Sequence, residues 1–200
     1  LESRSGALLG AKIADDGQWR FPVSGNVPEK FEKAIIEFED RNFKKHPGVD
    51  PVAIGRAIIQ NYRAGEVVSG ASTLTMQVIR LAKQNPERTI TEKLTEMVQA
   101  TRLELTHSKK EILALYAAHA PFGGNVVGLE AASWRYFGRK PEQLSWAESA
   151  MLAVLPNSPA LIHPGRNRAE LEAKRDRLLG RLFEQGIIDS LSYELALLEP

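Results

Sequence analysis

The sequence places one carboxylate, Glu39, at a position that suits general base catalysis. The residues after Pro28 have the i, i+3, i+4, i+7 apolar spacing of an amphipathic helix, at Phe31, Ala34, Ile35 and Phe38. On that helix Glu39 falls about 90° from the centre of the apolar stripe, at its edge, whereas Asp40 points nearly opposite to the stripe, into water. Partial burial raises the pKa of a carboxyl group and makes it a better proton acceptor. The alternative is an ordinary carboxylate in a surface ion pair.

A second feature is an excess of cations in one part of the chain. Three predicted helices and their loops carry Arg56, Arg63, Arg80, Lys83, Arg88 and Lys93, against Glu66, Glu87 and Glu92. Such a set can converge on a polyphosphate, because guanidinium groups bind its oxygens in pairs. The start of the helix after Gly70, with Ser72 and Thr73, leaves backbone N–H groups that can also hold an anion. The alternatives are solvated helix faces and an ordinary N-cap at Ser72.

Other catalytic classes find little support in the sequence. The chain has no cysteine, which excludes thiol nucleophiles and cysteine-ligated metals. Its histidines are too scattered for an H-x-x-x-H metal motif, and it contains no G-x-S-x-G or S-x-x-K motif. Lys and Arg number 26 and Asp and Glu 25, so a net charge of +1 argues against a general nucleic-acid binder.

The elements that must position these residues are predicted to be mainly helical. The 200 residues are 43% hydrophobic and 26% charged, which suits a compact domain. An Asp15-Asp16-Gly17 turn predicts a small N-terminal β-hairpin within residues 1–26, followed by a helical domain over 27–200. Asp50-Pro51 and Ser72 predict helix starts, and the final helix is expected at 167–185. Three S/T-x-x-E capping boxes are predicted at Thr89/Glu92, Ser108/Glu111 and Ser145/Glu148.

Five ordered motifs resemble those of glycosyltransferase family 51, the peptidoglycan glycosyltransferase module of class A penicillin-binding proteins. Residues 39–48 (EDRNFKKHPG), 70–77 (GASTLTMQ) and 88–96 (RTITEKLTE) resemble its first three blocks. Residues 112–123 and 150–159 (AMLAVLPNSP) resemble the last two. The order of the set, more than any single motif, identifies the chain as a member of this family. The resemblance implies a mainly α, lysozyme-like multi-helix domain.

The resemblance also implies a reaction and a site. The family polymerises lipid II: an acceptor 4-hydroxyl displaces undecaprenyl pyrophosphate with inversion, forming a β-1,4 bond. Glu39 matches the catalytic base and Glu96 the second essential glutamate. By pattern alone Glu96 is a surface carboxylate, opposite a Leu94/Val98 stripe and able to pair with Lys93. The matching substrate-binding positions are Asp40, Phe43, His46, Arg56, Gln60, Ser72, Thr73, Gln77, Arg80, Arg88 and Lys93.

Cofactors and partners follow from the same resemblance. No cofactor is expected to be required, although a divalent cation, Mg²⁺ or Mn²⁺, is a candidate at the pyrophosphate. The expected partners are lipid II, the lipid-linked glycan chain, a membrane surface and other cell-wall synthesis proteins, with no nucleic acid. The expected location is the periplasmic face of the bacterial inner membrane, with an anchoring helix and a transpeptidase domain outside this sequence. The longest apolar run, residues 150–155, is too short for a membrane span of roughly 18 residues.

Several positions depart from the family pattern and keep two alternatives open. Glu92 stands where the family has Arg, Thr95 where it often has Lys, and Ala114, Ala117 and Ala118 where it has polar residues. The run LYAAHAPFGGNVVGLEAA resembles the variant of one subgroup. A catalytically weak or inactive glycan- or lipid-binding module of the same fold is therefore one alternative, and a lysozyme-like muramidase is the other.

Overall fold

The computed structural model describes residues 13–15, 17–22, 25–66, 70–84, 87, 89–157 and 167–199. Within them the chain is mostly helical, as predicted. The α-helices are α1 (Glu29–Glu39), α2 (Pro51–Ala64), α3 (Leu74–Ala82), α4 (Ile90–Glu104), α5 (Lys109–His119), α6 (Leu129–Phe137), α7 (Trp146–Val154), α8 (Arg168–Glu184) and α9 (Ser190–Leu198). Short 3-10 turns span Phe43–Lys45, Pro141–Gln143 and Leu155–Asn157.

The predicted N-terminal hairpin is not seen in the described residues. A turn is present, with the Ala14 N–H donating to the Gln18 carbonyl at 2.9 Å and Gly17 at φ 77°. Beyond the turn, however, Trp19 forms an isolated parallel bridge with Val126, in the loop after α5. The other side of the expected hairpin, together with Asp16, lies outside the described residues.

Local capping chemistry sets most of the helix starts. The Asp50 carboxylate accepts from the N–H groups of Val52 and Ala53 at 2.9 and 3.0 Å, as predicted. The capping boxes at Ser108/Glu111 and Ser145/Glu148 are both complete. Two details differ from the prediction. Thr73, not Ser72, is the N-cap of α3, and the Glu92 side chain forms an ion pair with Lys83, although Thr89 caps α4.

The core forms where α1 packs against α7 and α7 packs against α8, while α3 packs against α4 and α5. The side chains of Phe31, Ala34 and Ile35 on α1 are fully buried, which confirms the stripe predicted for that helix. Burial of so much apolar surface along α1 fixes the position of its last residue, Glu39.

The predicted Leu94/Val98 stripe does not face this core, and neither do two large apolar residues on α2. On α4 the side chains of Leu94 and Val98 are 56% and 71% exposed, whereas Glu96 and Ala100 are buried. On α2 Ile58 and Tyr62 are 64% and 87% exposed. The apolar periodicity therefore predicts helices correctly and the inward face of α4 wrongly.

Gly48 lies in close contact with the inward face of α4. This glycine has φ 91°, and a Cβ built on it would lie 2.6 Å from the Ala100 carbonyl oxygen. The loop before α2 therefore lies directly on the backbone of α4, and the face that contains Ala100 is covered by it.

We expect Gly48→Ala to lower the free energy of unfolding by about 2–3 kcal/mol, since a left-handed φ and a backbone clash must both be relieved. Chemical denaturation of the variant and wild type measures this difference. Gly138→Ala is the matched control, because it has φ 66° with open space around its Cβ position. An equal loss in both variants would contradict the role of close approach at Gly48.

Candidate active site

Glu39 ends α1 and is partly buried. The Gln77 side-chain amide donates to its Oε2 at 2.8 Å. Burial raises the pKa of Glu39, and the charge of Asp40 raises it further, while hydrogen bonds from Gln77 and Asn157 act in the opposite direction. A carboxylate with a raised pKa, held by amide donors, is suited to accept a proton.

Arg80 lies three residues after Gln77 on α3, so the two side chains leave the same face of the helix. Its Nε and Nη2 atoms donate to the two oxygens of Glu96 at 2.7 and 2.8 Å. Gln77 and Arg80 are separated by a rise of roughly 4.5 Å along the axis. One helix therefore carries the contacts of both Glu39 and Glu96, the two glutamates that the family resemblance implies for catalysis.

Glu96 is 1% exposed, so the prediction of a surface carboxylate is wrong. It also pairs with Arg80 instead of Lys93. The prediction fails because Leu94 and Val98 face solvent on α4, so the opposite face, which carries Glu96, is the buried one. Since both of its oxygens are bonded to Arg80, Glu96 holds that guanidinium in place.

Asp40 is also buried, contrary to the expectation that it points into water. Its carboxylate lies 2.9 Å from His46 Nε2 and accepts from the Leu74 N–H at 3.0 Å. The helical wheel fails here because α1 ends at Glu39, so the next residue leaves the helical path. Asp40 thereby joins the end of α1 to the first residue of α3.

Three more predicted substrate-binding residues are buried nearby, two in the loop between α1 and α2 and one at the N-cap of α3. The Thr73 hydroxyl donates to the Gly48 carbonyl at 2.6 Å, and its oxygen accepts from the Met76 N–H at 3.1 Å. Phe43 is 1% exposed, and Lys109 lies 4.5 Å from its ring centroid. With His46, which is also buried, these side chains hold the loop between α1 and α2 against the start of α3.

The remaining predicted residues are dispersed. Arg56 and Gln60 are exposed on α2, and no described residue forms a hydrogen bond or ion pair with either side chain. Ser72 is partly exposed just before α3, and Lys93 is partly exposed on α4 without an ion pair in the described part of the chain. Arg88 lies outside the described residues.

Sequence reasoning misses four polar residues close to this region. Glu104 accepts from the Thr75 hydroxyl and from Lys109, both at 2.6 Å, and Lys109 also donates to the His46 carbonyl. Tyr116 is buried, and its hydroxyl has no hydrogen-bond partner among the described residues. Burial, followed by the nearby charge of Glu39, raises the pKa of Tyr116 well above its usual range. Asn157, the fourth, lies in the last of the five motifs.

Two features are absent from the described residues. They contain no group of three or more His, Asp or Glu side chains arranged to hold a metal ion. Among the described helices, none combines the length and the apolar character that crossing a bilayer requires.

Comparisons with known proteins agree with the motifs. A family model described as Transglycosylase matches residues 7–183. Penicillin-binding protein 1C of Escherichia coli is 47% identical over 88% of this chain and 23% of its own length. Penicillin-binding protein 1A of Aquifex aeolicus is 41% identical over 92% of the chain and 25% of its own length. This chain thus spans about a quarter of the length of the curated relatives it matches.

A solved structure supports the fold. The crystal structure of penicillin-binding protein 1A from Haemophilus influenzae matches all of this chain and 20% of its own, with a TM-score of 0.55 and 21% identity. The family model, which covers most of the chain, and the 47% identity to a penicillin-binding protein 1C together settle the assignment. The chain belongs to the transglycosylase family, as a glycosyltransferase family 51 domain of the class A penicillin-binding protein type.

Proposed function

We propose that this domain polymerises lipid II into β-1,4-linked glycan strands, with inversion at the donor sugar and release of undecaprenyl pyrophosphate. The observation that carries the proposal is the arrangement along α3, where Gln77 binds Glu39 and Arg80, one turn later, binds Glu96. This displacement needs a group that accepts the hydroxyl proton and a cation that stabilises the leaving pyrophosphate. One face of α3 holds the first, Glu39, through Gln77 and supplies the second, Arg80. The family assignment supports the same reaction class.

Glu39 acts as the base in this proposal. The acceptor 4-hydroxyl of N-acetylglucosamine is a weak nucleophile until its proton is removed. Partial burial raises the pKa of Glu39 and so its affinity for that proton. As the C–O bond to the donor sugar forms, the proton passes to the Glu39 carboxylate and the bond to pyrophosphate breaks on the opposite face.

Arg80 stabilises the leaving pyrophosphate, and Glu96 orients Arg80. Negative charge grows on the phosphate oxygens as the sugar–phosphate bond breaks, and a fixed guanidinium favours that charge without having to reorganise. The Arg80 side chain is 16% exposed, and its Nη1 atom is not used in the bonds to Glu96. Lys93, one turn before Glu96 on α4, is a second cation for the same group, and the sequence assigns Arg88 to this set as well.

The muramidase alternative fits the site less well. Glycosidases use one carboxyl group to protonate the leaving oxygen and a second carboxylate on the other face of the sugar. Glu39, with its raised pKa, would be the acid, but the second carboxylate, Glu96, is paired with Arg80 through both oxygens and is not free to attack the sugar or to activate a water. A pyrophosphate leaving group needs a cation instead, and this site provides one.

A membrane surface is the proposed setting, at the periplasmic face of the bacterial inner membrane. The lipid tails of donor and acceptor require one, and α2 and α4 present large apolar side chains to solvent. Those more than half exposed are Val52, Ile58, Ile59, Tyr62, Ile90, Leu94 and Val98, with Leu105 directly after the end of α4. Singly such residues are ordinary, but so many on two helices suit contact with lipid. Contacts with other cell-wall synthesis proteins remain a further expectation.

In this proposal the reaction requires no bound cofactor. The resemblance makes a divalent cation a candidate at the pyrophosphate, but Glu96 does not fit as its ligand, because the positively charged Arg80 guanidinium is bonded to both Glu96 oxygens and would repel a metal ion there. Adding EDTA to the polymerisation reaction tests this part of the proposal. Loss of activity that Mg²⁺ or Mn²⁺ restores would contradict it.

Incubation with labelled lipid II in detergent or lipid vesicles, followed by separation of the products, tests the function. We expect glycan chains that grow with time and release of undecaprenyl pyrophosphate. Shortening of preformed glycan without polymerisation would identify a muramidase. Binding of lipid II without turnover would identify the inert module that the alanines at 114, 117 and 118 leave open.

A further inference from the structure

We propose that Lys109 is a positioning residue for the reaction, because it closes a ring of polar contacts around the first turn of α3. This inference rests on the proposed function and adds to it a residue for which the sequence predicts no role. Helix α3 carries Gln77 and Arg80, so the placement of its first turn determines where both of these side chains reach.

The Lys109 ammonium group is held on three sides. Its Nζ atom donates to Glu104 Oε1 at 2.6 Å and to the His46 carbonyl oxygen at 2.7 Å, and it lies 4.5 Å from the centre of the Phe43 ring. An ammonium group has three N–H donors, so one lysine can serve two acceptors and an aromatic face at once. Lys109, the first residue of α5, thereby joins the last residue of α4 to the loop between α1 and α2.

Both hydrogen-bond partners of this lysine lead to α3. Thr75, the second residue of α3, donates its hydroxyl to the same Glu104 oxygen at 2.6 Å. On the other side, the His46 Nε2 atom lies 2.9 Å from Asp40, whose carboxylate accepts from the Leu74 N–H at 3.0 Å. Leu74 and Thr75 are adjacent, so the contacts form a closed ring. The members of this polar ring are Lys109, His46, Asp40, Leu74, Thr75 and Glu104.

The polar ring lies largely out of solvent, which makes it sensitive to the loss of its lysine. Asp40, His46 and Thr75 are buried, and the Glu104 side chain is 7% exposed, so water screens the ion pair between Glu104 and Lys109 weakly. Without Lys109, the neutral Thr75 hydroxyl would be the remaining side-chain donor to Glu104 in the described part of the chain. The first turn of α3 would then be free to shift, and a displacement of about 1 Å at reacting groups can cost a factor of about 100 in rate.

Lys109→Met tests the inference, because methionine keeps an unbranched apolar side chain and removes the charge. Polymerisation of labelled lipid II should show kcat lowered by about 10- to 100-fold, with KM changed by less than about twofold. The loss falls on kcat because α3 places groups that act in the transition state. Lys110→Met, at the exposed next position of α5, is the matched control and should have the kcat of wild type.

A second variant separates positioning from stability, since Lys109→Met leaves Glu104 as a poorly solvated charge without its cation. In Lys109→Met/Glu104→Gln that charge is absent, and the glutamine oxygen can still accept from the Thr75 hydroxyl. We expect kcat to stay low in this double variant, measured at a temperature where it is folded, because the bond to the His46 carbonyl is still missing. Recovery of wild-type kcat would overturn the inference, since Lys109 would then merely neutralise Glu104.

Amide hydrogen exchange keeps this inference separate from the proposed function. The Leu74 N–H, which donates to Asp40, should exchange faster in the double variant than in wild type, and at the wild-type rate in Lys110→Met. If wild type makes no glycan, the proposed function fails, and the exchange rate at Leu74 still decides whether Lys109 holds the polar ring together. Unchanged exchange at Leu74, or a decrease in Tm with wild-type kcat, would contradict the positioning role.

Discussion

Glu39→Gln is expected to reduce lipid II polymerisation by about 10²- to 10⁴-fold, the usual contribution of general acid–base catalysis. The substitution keeps the shape of the side chain and an oxygen that can accept from Gln77, so the site should remain intact. A polymerisation assay with labelled lipid II measures the loss. Glu29→Gln, at the exposed beginning of the same helix, is the control and should retain wild-type activity.

The same variant should be more stable than wild type at neutral pH. Because the folded-state pKa of Glu39 is raised, folding favours its protonated form, and that stabilisation is lost as the pH rises through the folded pKa. Glutamine has no charge to bury at any pH. The difference in Tm between variant and wild type should therefore be small at low pH and grow as the pH increases. A difference that does not change with pH would refute burial of the charge as the source of the raised pKa.

Glu96→Ala is expected to destabilise the folded chain by about 3–5 kcal/mol, the cost of leaving one partner of a buried ion pair alone. For a domain of this size that corresponds to a decrease in Tm of roughly 6–20 °C. Glu96 is 1% exposed and bonds Arg80 through both oxygens, so nothing nearby compensates for its loss. Urea denaturation of the variant measures the effect.

The control for Glu96→Ala lies one turn earlier on the same helix. Glu92 pairs with Lys83 at a more exposed position, so Glu92→Ala should cost less than about 1 kcal/mol. A double-mutant cycle with Arg80→Ala should show that the two losses at the buried pair are not additive. Full stability of Glu96→Ala together with loss of activity would mean that Glu96 contacts substrate directly and does not act through Arg80.

Local capping interactions make the helix starts predictable from sequence, whereas the face that a helix buries is not predictable in this way. Asp50, Ser108 and Ser145 cap helices through atoms two or three residues away, so their effect is contained in short stretches of sequence. The inward face of α4 is instead covered by distant residues, such as Arg80 on α3 and Gly48, some fifty residues earlier, whose contacts cannot be inferred from periodicity. For that reason the apolar residues of α4 predict a helix but not the face that it buries.

In the candidate site, too, some features can be predicted from local sequence and others cannot. The edge position of Glu39 follows from the spacing on α1, because that stripe does face the core. The burial of Asp40 cannot be predicted from that spacing, since it depends on where α1 ends and on the distant Leu74 N–H. Glu96 is identified only by resemblance, and its bond to Arg80 joins residues on two helices that no local pattern relates.

The tie between Asp40 and the first residue of α3 has a consequence for substrate selection. Glu39 precedes Asp40, and Gln77 and Arg80 follow Leu74 on one short helix, so base and cation belong to a single rigid unit. Their spacing cannot adjust to the molecule that binds between them. We expect the domain to tolerate changes in remote parts of the lipid or peptide, yet to reject any donor in which extra atoms separate the anomeric carbon from its diphosphate.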